Sequence, residues 1–316
     1  MTTSRDQRGT VARFLLLAVL WGSGFTFIKV SLGGLTPGQL VLGRLVLGAA
    51  LLLAIVAVRG VPLPRSIGVW RHVAVTALLG NVVPFLLLSY GERGTGAGIA
   101  GVLVGSTPLL TMAIASAALP TERATRRKVL GLLVGFLGVV LVIGPWRESF
   151  GSIGGSLACL GAALSYAASF VYVRRNLSPL GLPPLALAGS QLLAAAVLQA
   201  LVTPFLAWHS PHFTAPIVGS MLFLGLLCTG LCFVLYFRLI HDIGATSASA
   251  VNYLVPVSAV LVGVVLLGES LTWNLLAGGL VVLAGMAYAE KRLTRPRREP
   301  PVPTQVPVPV SVEEPG

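Results

Sequence analysis

The stretch SASAVNYLVPVSAVLVGVVLLGES, residues 247–270, carries two opposed signals. Most of its residues are apolar, and the run approaches the roughly 20 residues that a helix needs to cross a bilayer. Asn252, Tyr253, Pro256 and Ser258 nevertheless fall within it, at a depth where hydrocarbon penalises polar groups. Such a helix is expected only where its polar positions face protein or water, so the stretch predicts a membrane protein with a polar interior.

The composition of the whole chain excludes a soluble protein. Its 316 residues are 55% hydrophobic and only 10% charged, with a mean hydropathy of +0.89. Soluble domains carry about 25% charged residues. The net charge of +12 comes from short basic clusters between apolar runs rather than from one patch. We therefore expect an integral membrane protein whose surroundings are the lipid bilayer, and no binding of nucleic acid.

Ten apolar runs approach the length of a transmembrane helix, and short breaks rich in proline and glycine separate them. The runs fall at residues 12–32, 38–58, 70–90, 96–118, 126–145, 152–173, 184–207, 216–238, 244–267 and 271–289. Residues 1–11 precede them as a cytoplasmic segment. Residues 291–316 are basic and then proline-rich, which predicts a disordered cytoplasmic tail. The sequence thus predicts an all-α integral membrane fold with ten transmembrane helices.

The basic residues between the runs predict the orientation, because cytoplasmic loops collect Lys and Arg. If the N-terminus is cytoplasmic, 18 of the 22 Lys and Arg residues lie on the cytoplasmic side. The outer side then holds Lys29, Arg93 and Arg147, and Arg44 lies within a span. This bias predicts a multi-pass protein with both termini in the cytoplasm, and the glycine- and alanine-rich, basic composition favours the cell (inner) membrane.

Two pairs of segments resemble each other across the chain. GAGIAGVLVGSTPLL at 96–110 and GATSASAVNYLVPVS at 244–258 share a glycine, two alanines and a proline at matching positions. ERATRRKVLGLLVGFLG at 122–138 and ESLTWNLLAGGLVVLAG at 269–285 share a glutamate, a threonine and two glycines. Leu and Val matches are expected by chance between any two apolar runs, whereas matches of Gly, Pro, Glu and Thr are not, so these are informative. They predict that the two halves are duplicates.

The number of helices in each duplicate has a topological consequence. The predicted repeats cover residues 12–148 and 149–290, with five helices each. Because five is odd, the second repeat must enter the membrane from the opposite side. Inverted repeats recur among secondary transporters, whose substrate sites lie near the midplane where the halves meet. We therefore predict two inverted five-helix repeats around a central cavity.

Pro108 and Pro256 occupy matching places in the fourth and ninth runs. A proline removes one helical hydrogen bond and leaves a carbonyl free, which a neighbouring helix or a watery cavity can satisfy but lipid cannot. Two interpretations stay open: the prolines kink helices for packing, or they shape a cavity lined by their polar neighbours. The matched pair favours the cavity.

Three stretches carry a resemblance to a known family. They are LLLAVLWGSGFTFIKV, YGERGTGAGIAGVLVGSTPLLTMAIASAALPTER and LVPVSAVLVGVVLLGESLTWNLLAGGLVVLAG. Over residues 12–290 the chain resembles the EamA family of the drug/metabolite transporter superfamily. The resemblance implies a ten-helix inverted repeat and export or exchange of amino acids, metabolites or other small solutes. The residues that match its recurrent positions are Trp21, Gly22, Arg44, Pro108, Glu122, Pro256 and Glu269.

One departure from the wider superfamily concerns proton coupling. The small four-helix relatives carry a glutamate in their first helix, whereas the corresponding run here is WGSGFTF, which has no carboxylate. That mechanism therefore does not carry over. The acidic residues lie near span ends or in the tails, and Glu92 is expected to contact solvent at the outer end of the third helix.

Charged residues near the spans each admit two interpretations. Arg44 binds an anionic group, or it snorkels to the interface or pairs with a backbone carbonyl. Lys29 is expected to snorkel at the outer face, with substrate binding as the alternative. Glu122 and Glu269 each open the next helix, which favours a role at a helix N-terminus over a gating salt bridge.

The leading hypothesis is a secondary transporter of small organic solutes, such as amino acids or other metabolites, that exports them by alternating access. The predicted substrate-cavity residues are Trp21, Arg44, Asn81, Ser106, Thr107, Pro108, Tyr166, Gln191, Asn252, Tyr253 and Pro256. The alternatives are a membrane-embedded enzyme and a non-transporting scaffold. We expect no enzyme activity, catalytic residue, metal or cofactor, and the sequence leaves a homodimer open.

Overall fold

A computed structural model describes residues 4–118, 125–143, 153–243 and 251–290. Within these ranges it contains ten helices, some of which include π-helical or 3-10 segments. In the first half, α1 spans Ser4–Ser31, α2 Pro37–Val58, α3 Ile67–Gly91, α4 Ala97–Ala118 and α5 Arg126–Ile143. In the second half, α6 spans Ile153–Leu180, α7 Pro184–Phe205, α8 residues 215–243, α9 Val251–Leu267 and α10 Trp273–Glu290. Residues 244–250, Glu122 and the tail 291–316 lie outside the described residues.

The all-helical membrane fold expected from composition is confirmed. Seven of the described helices are long and apolar enough to cross a membrane, namely α1 to α4 and α6 to α8. Three shorter apolar stretches, Val129–Val142, Leu254–Leu267 and Trp273–Tyr288, lie in α5, α9 and α10. Ten crossings therefore stay a prediction. Large apolar side chains cover the outside of the bundle, which fits a surface that faces lipid.

Two helix starts show how the sequence sets the boundaries. Thr36 and Gln39 form a reciprocal capping box before α2: the Gln39 N–H donates to Thr36 Oγ1 (3.2 Å), and the Thr36 N–H donates to Gln39 Oε1 (2.8 Å). Pro37 occupies the first helical position, where its missing N–H costs nothing. The Thr272 hydroxyl accepts from the Leu275 N–H at the start of α10 (3.3 Å).

The two matched prolines behave differently. Pro108 follows a break in α4 at Ser106, and it removes the N–H that would bond the Val104 carbonyl. The Thr107 hydroxyl donates to that carbonyl instead (2.5 Å), so the helix satisfies the freed group itself, without a cavity. Pro256 lies inside an unbroken α9 and packs on α4: a Cβ atom on Gly105 would lie 2.4 Å from Pro256 Cγ.

The pattern of helix contacts is what two related halves predict. Helix α1 packs on α9 as α4 packs on α6, and α2 packs on α8 as α3 packs on α7. The pairs α2–α7, α4–α9 and α5–α10 map onto themselves when α1 to α5 are exchanged for α6 to α10. A two-fold relation between the halves produces this pattern. The exact repeat boundaries stay a prediction.

Helices α5 and α10 approach most closely through glycine. A Cβ atom on Gly138 would lie 2.6 Å from the Val282 backbone nitrogen, and one on Gly285 would lie 2.5 Å from the Gly135 nitrogen. Contacts this short leave no room for a side chain, so the backbones themselves form the interface. Small residues serve helix packing in membranes in this way, because lipid provides no hydrophobic force between helices.

Candidate substrate site between the two halves

Arg44 is buried in the middle of the helix bundle. It lies seven residues after Pro37, about 10 Å along α2, and its side chain is 8% exposed. Its Nε donates to the Thr229 hydroxyl on α8 (2.9 Å), and its Cζ lies 3.9 Å from the centroid of the Phe85 ring on α3. The side chain therefore points into the protein, and snorkelling to the interface does not describe it.

The charge of Arg44 acts on the buried carboxyl group of Glu92, but Arg44 has no salt-bridge partner among the described residues. Within the described part of the chain it forms no ion pair, and its terminal nitrogens Nη1 and Nη2 make no hydrogen bond. The ring of Phe85 supplies a cation–π contact, which offsets only part of the cost of burying a charge. A buried guanidinium without a salt bridge leaves hydrogen-bond donors available to a bound group.

Thr229 holds the guanidinium from a distorted part of α8. Residues Phe223–Leu231 are π-helical, and the Thr229 hydroxyl donates to the Leu224 carbonyl five residues earlier (2.8 Å). The same oxygen accepts from Arg44, so the π turn fixes its orientation. π segments inside helices are frequent at functional sites.

The third helix of the first half has the same feature. Residues Leu78–Val82 of α3 are π-helical, and Pro84 lies two residues after this segment. Proline has no N–H to donate to a carbonyl of the preceding turn. The segment contains Asn81, whose side chain is 2% exposed and whose Oδ1 accepts from Gln191 Nε2 on α7 (2.8 Å). Asn81 and Phe85 lie four residues apart and share one face of α3.

Helix α6 completes the site. The Tyr166 ring lies edge-on to Phe85, with 6.4 Å between the centroids. A Cβ atom on Gly80 would lie 2.6 Å from Ser169 Oγ and 3.1 Å from Gln191 Nε2, so α3, α6 and α7 converge where only glycine fits. We call Arg44, Asn81, Phe85, Tyr166, Gln191 and Thr229 the Arg44 cluster.

The Arg44 cluster joins four of the predicted cavity residues, Arg44, Asn81, Tyr166 and Gln191. Sequence reasoning missed Thr229 and Phe85. Both lie in apolar runs without a distinguishing neighbour, and Thr229 acquires its role only when α2 packs on α8. One signal in the sequence could have identified Thr229: its hydroxyl lies in the third helix of the second half, as the Asn81 amide lies in the third helix of the first.

The other predicted cavity residues occupy different places. The Trp21 ring lies 5.4 Å from the Tyr236 ring in the apolar contact of α1 with α8. The hydroxyls of Ser106 and Thr107 bond carbonyls one turn earlier in α4, and Pro108 follows them. Asn252 is half-buried, and the Tyr253 side chain is outside the described residues. No described hydrogen bond or ring contact joins this group to the Arg44 cluster.

A second charged region lies at one end of the bundle. We call this end the Lys29 end, and it comprises residues 29, 32–36, 92–96, 206–214 and 268–272. Glu269 Oε1 accepts from the Ala97 N–H (2.7 Å), and Oε2 accepts from the Gly98 N–H (3.0 Å). These are free N–H groups at the start of α4, so Glu269 serves the N-terminus of a helix in the other half, not that of α10 as predicted.

Lys29 and Glu92 complete the charge of this end. Lys29 Nζ donates to the Thr95 carbonyl (2.8 Å) and lies 3.7 Å from Glu269 Oε1, so it makes specific contacts within the protein. The expectation that Glu92 contacts solvent is wrong, because its side chain is only 1% exposed. The end packs tightly enough to exclude water from a residue that directly follows α3.

This geometry defines a helical membrane protein with an internal two-fold repeat and a charged polar cluster where the halves meet. The model of the EamA-like transporter family matches residues 10–144 and again 153–289. The chain belongs to the EamA-like transporter family, as the resemblance indicated.

Individual relatives align with nearly the whole of this chain. The uncharacterized transporter YvbV of Bacillus subtilis is 28% identical, over 90% of this chain and 92% of its own length. A "Probable amino-acid metabolite efflux pump" of Salmonella typhimurium is 27% identical, over 86% and 91%. One crystal structure superposes with a TM-score of 0.64 at 23% identity, over 90% of this chain and 98% of that one, which supports the fold alone.

Proposed function

We propose that the protein is a secondary transporter that exports small organic solutes carrying an acidic group, such as amino acids or related metabolites. The observation that carries this proposal is Arg44: it is buried between the two halves, and in the described structure it has no salt-bridge partner. A carboxylate matches the planar donors of a guanidinium and would supply the missing charge.

The surroundings of Arg44 support a ligand of this size and polarity. Asn81, Gln191 and Tyr166 offer amide and hydroxyl groups beside the aromatic face of Phe85. The cluster draws α2 and α3 from one half and α6, α7 and α8 from the other. A relative movement of the halves would therefore rearrange the site, as alternating access requires. The name of the Salmonella relative supports the same substrate class.

The orientation is part of the proposal. With both termini in the cytoplasm and ten crossings, the Lys29 end faces outward and the basic connections face inward. Solute would enter from the cytoplasm and leave through the Lys29 end.

The test is transport by purified protein in liposomes, with labelled amino acids screened first and cationic dyes as a contrasting class. We expect uptake of an acidic or zwitterionic solute that Arg44→Gln reduces at least about tenfold, the scale of one charge-assisted hydrogen bond. Arg65→Gln is the matched control, because Arg65 is an exposed arginine outside the cluster and outside the Lys29 end.

Equal folded yield of the two variants, measured by size-exclusion chromatography, separates a loss of function from a loss of folding. Transport by Arg44→Gln at the wild-type rate would remove Arg44 from the site. Transport of cationic dyes alone would overturn the acidic substrate class.

A further inference from the structure

Glu92 is a buried acid with unused hydrogen-bonding capacity. It directly follows α3, where its N–H donates to the Leu88 carbonyl (2.9 Å). The side chain is 1% exposed, and both carboxylate oxygens are buried with no hydrogen-bond donor in the described structure. An ionised carboxylate in such a place loses its hydration without compensation, whereas the neutral acid loses far less.

The charged groups around Glu92 come from every side of the Lys29 end. Lys29 faces it from α1, Arg44 from α2 and Glu269 from the connection between α9 and α10. The Cys159 thiol of α6 also feels its charge. Burial raises the pKa of Glu92 well above its usual value of 4.5, Glu269 raises it further, and Lys29 and Arg44 oppose the shift.

The nearest cation is already committed. Lys29 uses its ammonium group on the Thr95 carbonyl and on Glu269, which itself holds the first turn of α4. Glu269 therefore has three partners where Glu92 has no hydrogen-bonded one. The two glutamates at this end are thus chemically distinct: one is a structural anion and the other is free to take up a proton.

We propose that Glu92 is a proton-binding site, and that the bound proton keeps the Lys29 end closed. This inference rests on the proposed function in one respect, since alternating access requires that end to open. Opening admits water, the acid ionises, and the proton leaves from the Glu92 carboxyl to the side that the Lys29 end faces. Closing requires the carboxylate to take a proton back.

The sign of the pH dependence follows. The closed state holds the proton more tightly, so its extra stability is present at low pH and is lost as pH rises through the raised pKa. Between the pKa of the open state and that of the closed state, opening becomes about tenfold more favourable for each pH unit. An outside solution more acidic than the cytoplasm therefore favours closure at this end.

Cys159 provides a native reporter of opening. It is fully buried on α6, and a Cβ atom on Gly91 would lie 2.8 Å from its Sγ, so it adjoins the residue before Glu92. A membrane-impermeant maleimide reaches it only when this end opens. Cys228 and Cys232, both buried on α8, serve as internal references in the same digest.

The experiment measures labelling of Cys159 by mass spectrometry, from about pH 5 to about pH 9, a range that covers carboxyl pKa values raised as far as 8–9. Dividing by the rate for Glu92→Gln at each pH removes the intrinsic pH dependence of the thiol reaction, except for the effect of the Glu92 charge on Cys159, which lowers the ratio and cannot produce a rise. We expect this ratio to rise about tenfold per pH unit over part of the range, because Glu92→Gln mimics the protonated acid. A ratio that stays constant would overturn the proposal.

A second variant keeps the proposal testable if Glu92→Gln fails to fold. Glu92→Asp retains a titratable group with a shorter side chain, so the midpoint of the labelling profile should move. An unchanged midpoint would overturn the assignment to Glu92. Labelling needs no transported solute, so a negative result here and a negative result in liposomes are separate outcomes.

Discussion

The Arg44 cluster and the Lys29 end both bury charge, but they compensate it differently. At the Lys29 end, Glu269 accepts two main-chain N–H groups and lies beside Lys29. In the Arg44 cluster, a guanidinium contacts one hydroxyl and one aromatic face, and the described structure gives it no salt bridge. A saturated charge stabilises a conformation, whereas an unsaturated charge is costly and is retained where a ligand completes it. Substitutions at the two places should therefore have opposite effects on stability.

The largest effect on stability is expected at the saturated charge. Glu269→Met leaves two N–H groups of α4 and the Lys29 ammonium without their partner, so we expect a loss of about 2–4 kcal/mol. Thermal unfolding in detergent, followed by circular dichroism, measures it. An unchanged midpoint for Glu269→Met would show that the contacts across the halves contribute little.

Arg44→Met tests the unsaturated charge. Removing an unpaired buried cation should leave stability unchanged or raise it by about 1 kcal/mol, while transport falls by at least about tenfold. The same unfolding assay and the liposome assay provide the two numbers. If Arg44→Met destabilised the protein as strongly as Glu269→Met, Arg44 would be a structural residue and the contrast between the regions would disappear.

Thr229→Val probes the one hydroxyl that orients Arg44. Losing this hydrogen bond should cost about 1 kcal/mol of substrate affinity, which appears as an increase of several-fold in the half-saturating concentration for transport. Ser220→Ala on the same helix is the matched control, because the Ser220 hydroxyl bonds only the Pro216 carbonyl (2.7 Å). Equal effects of the two variants would contradict a specific role for Thr229.

Lys29→Gln should give the smallest change. The Lys29 side chain is 37% exposed and its distance to Glu269 is 3.7 Å, so water screens the pair and we expect a loss of about 0–1 kcal/mol. A double-mutant cycle with Glu269→Gln isolates the pairwise contribution. A coupling energy above about 2 kcal/mol would mean that the ion pair, rather than the helix terminus, dominates the Lys29 end.

Composition and hydrophobic runs predict the helical membrane fold because a bilayer permits few alternatives. They also predict that Arg44, Asn81, Tyr166 and Gln191 face inward, since a polar residue inside an apolar run must face protein or water. Such reasoning identifies which positions turn inward. It does not show which of them meet, and Trp21, Thr107 and Asn252 are inward candidates that form no described contact with the Arg44 cluster.

The contacts that sequence reasoning missed join distant parts of the chain. Glu269 serves α4 across 172 residues, and Arg44 bonds Thr229 across 185. The burial of Glu92 is a property of the packed end, because nothing in the local sequence GERGTG distinguishes a covered turn from an open one. Local sequence patterns do not predict such contacts, because the contacts form only when the two halves of the protein pack against each other.

The wide turns in α3 and α8 imply an unusual sensitivity to changes in chain length. Each accommodates a residue beyond what a regular helix of that height would hold, and each supports a side chain of the Arg44 cluster. Deleting one residue there would restore ideal winding while the flanking segments keep their places, so the side chains within the turn would change direction. Thr229 would then face away from α2, so we expect these helices to tolerate substitutions better than single-residue deletions.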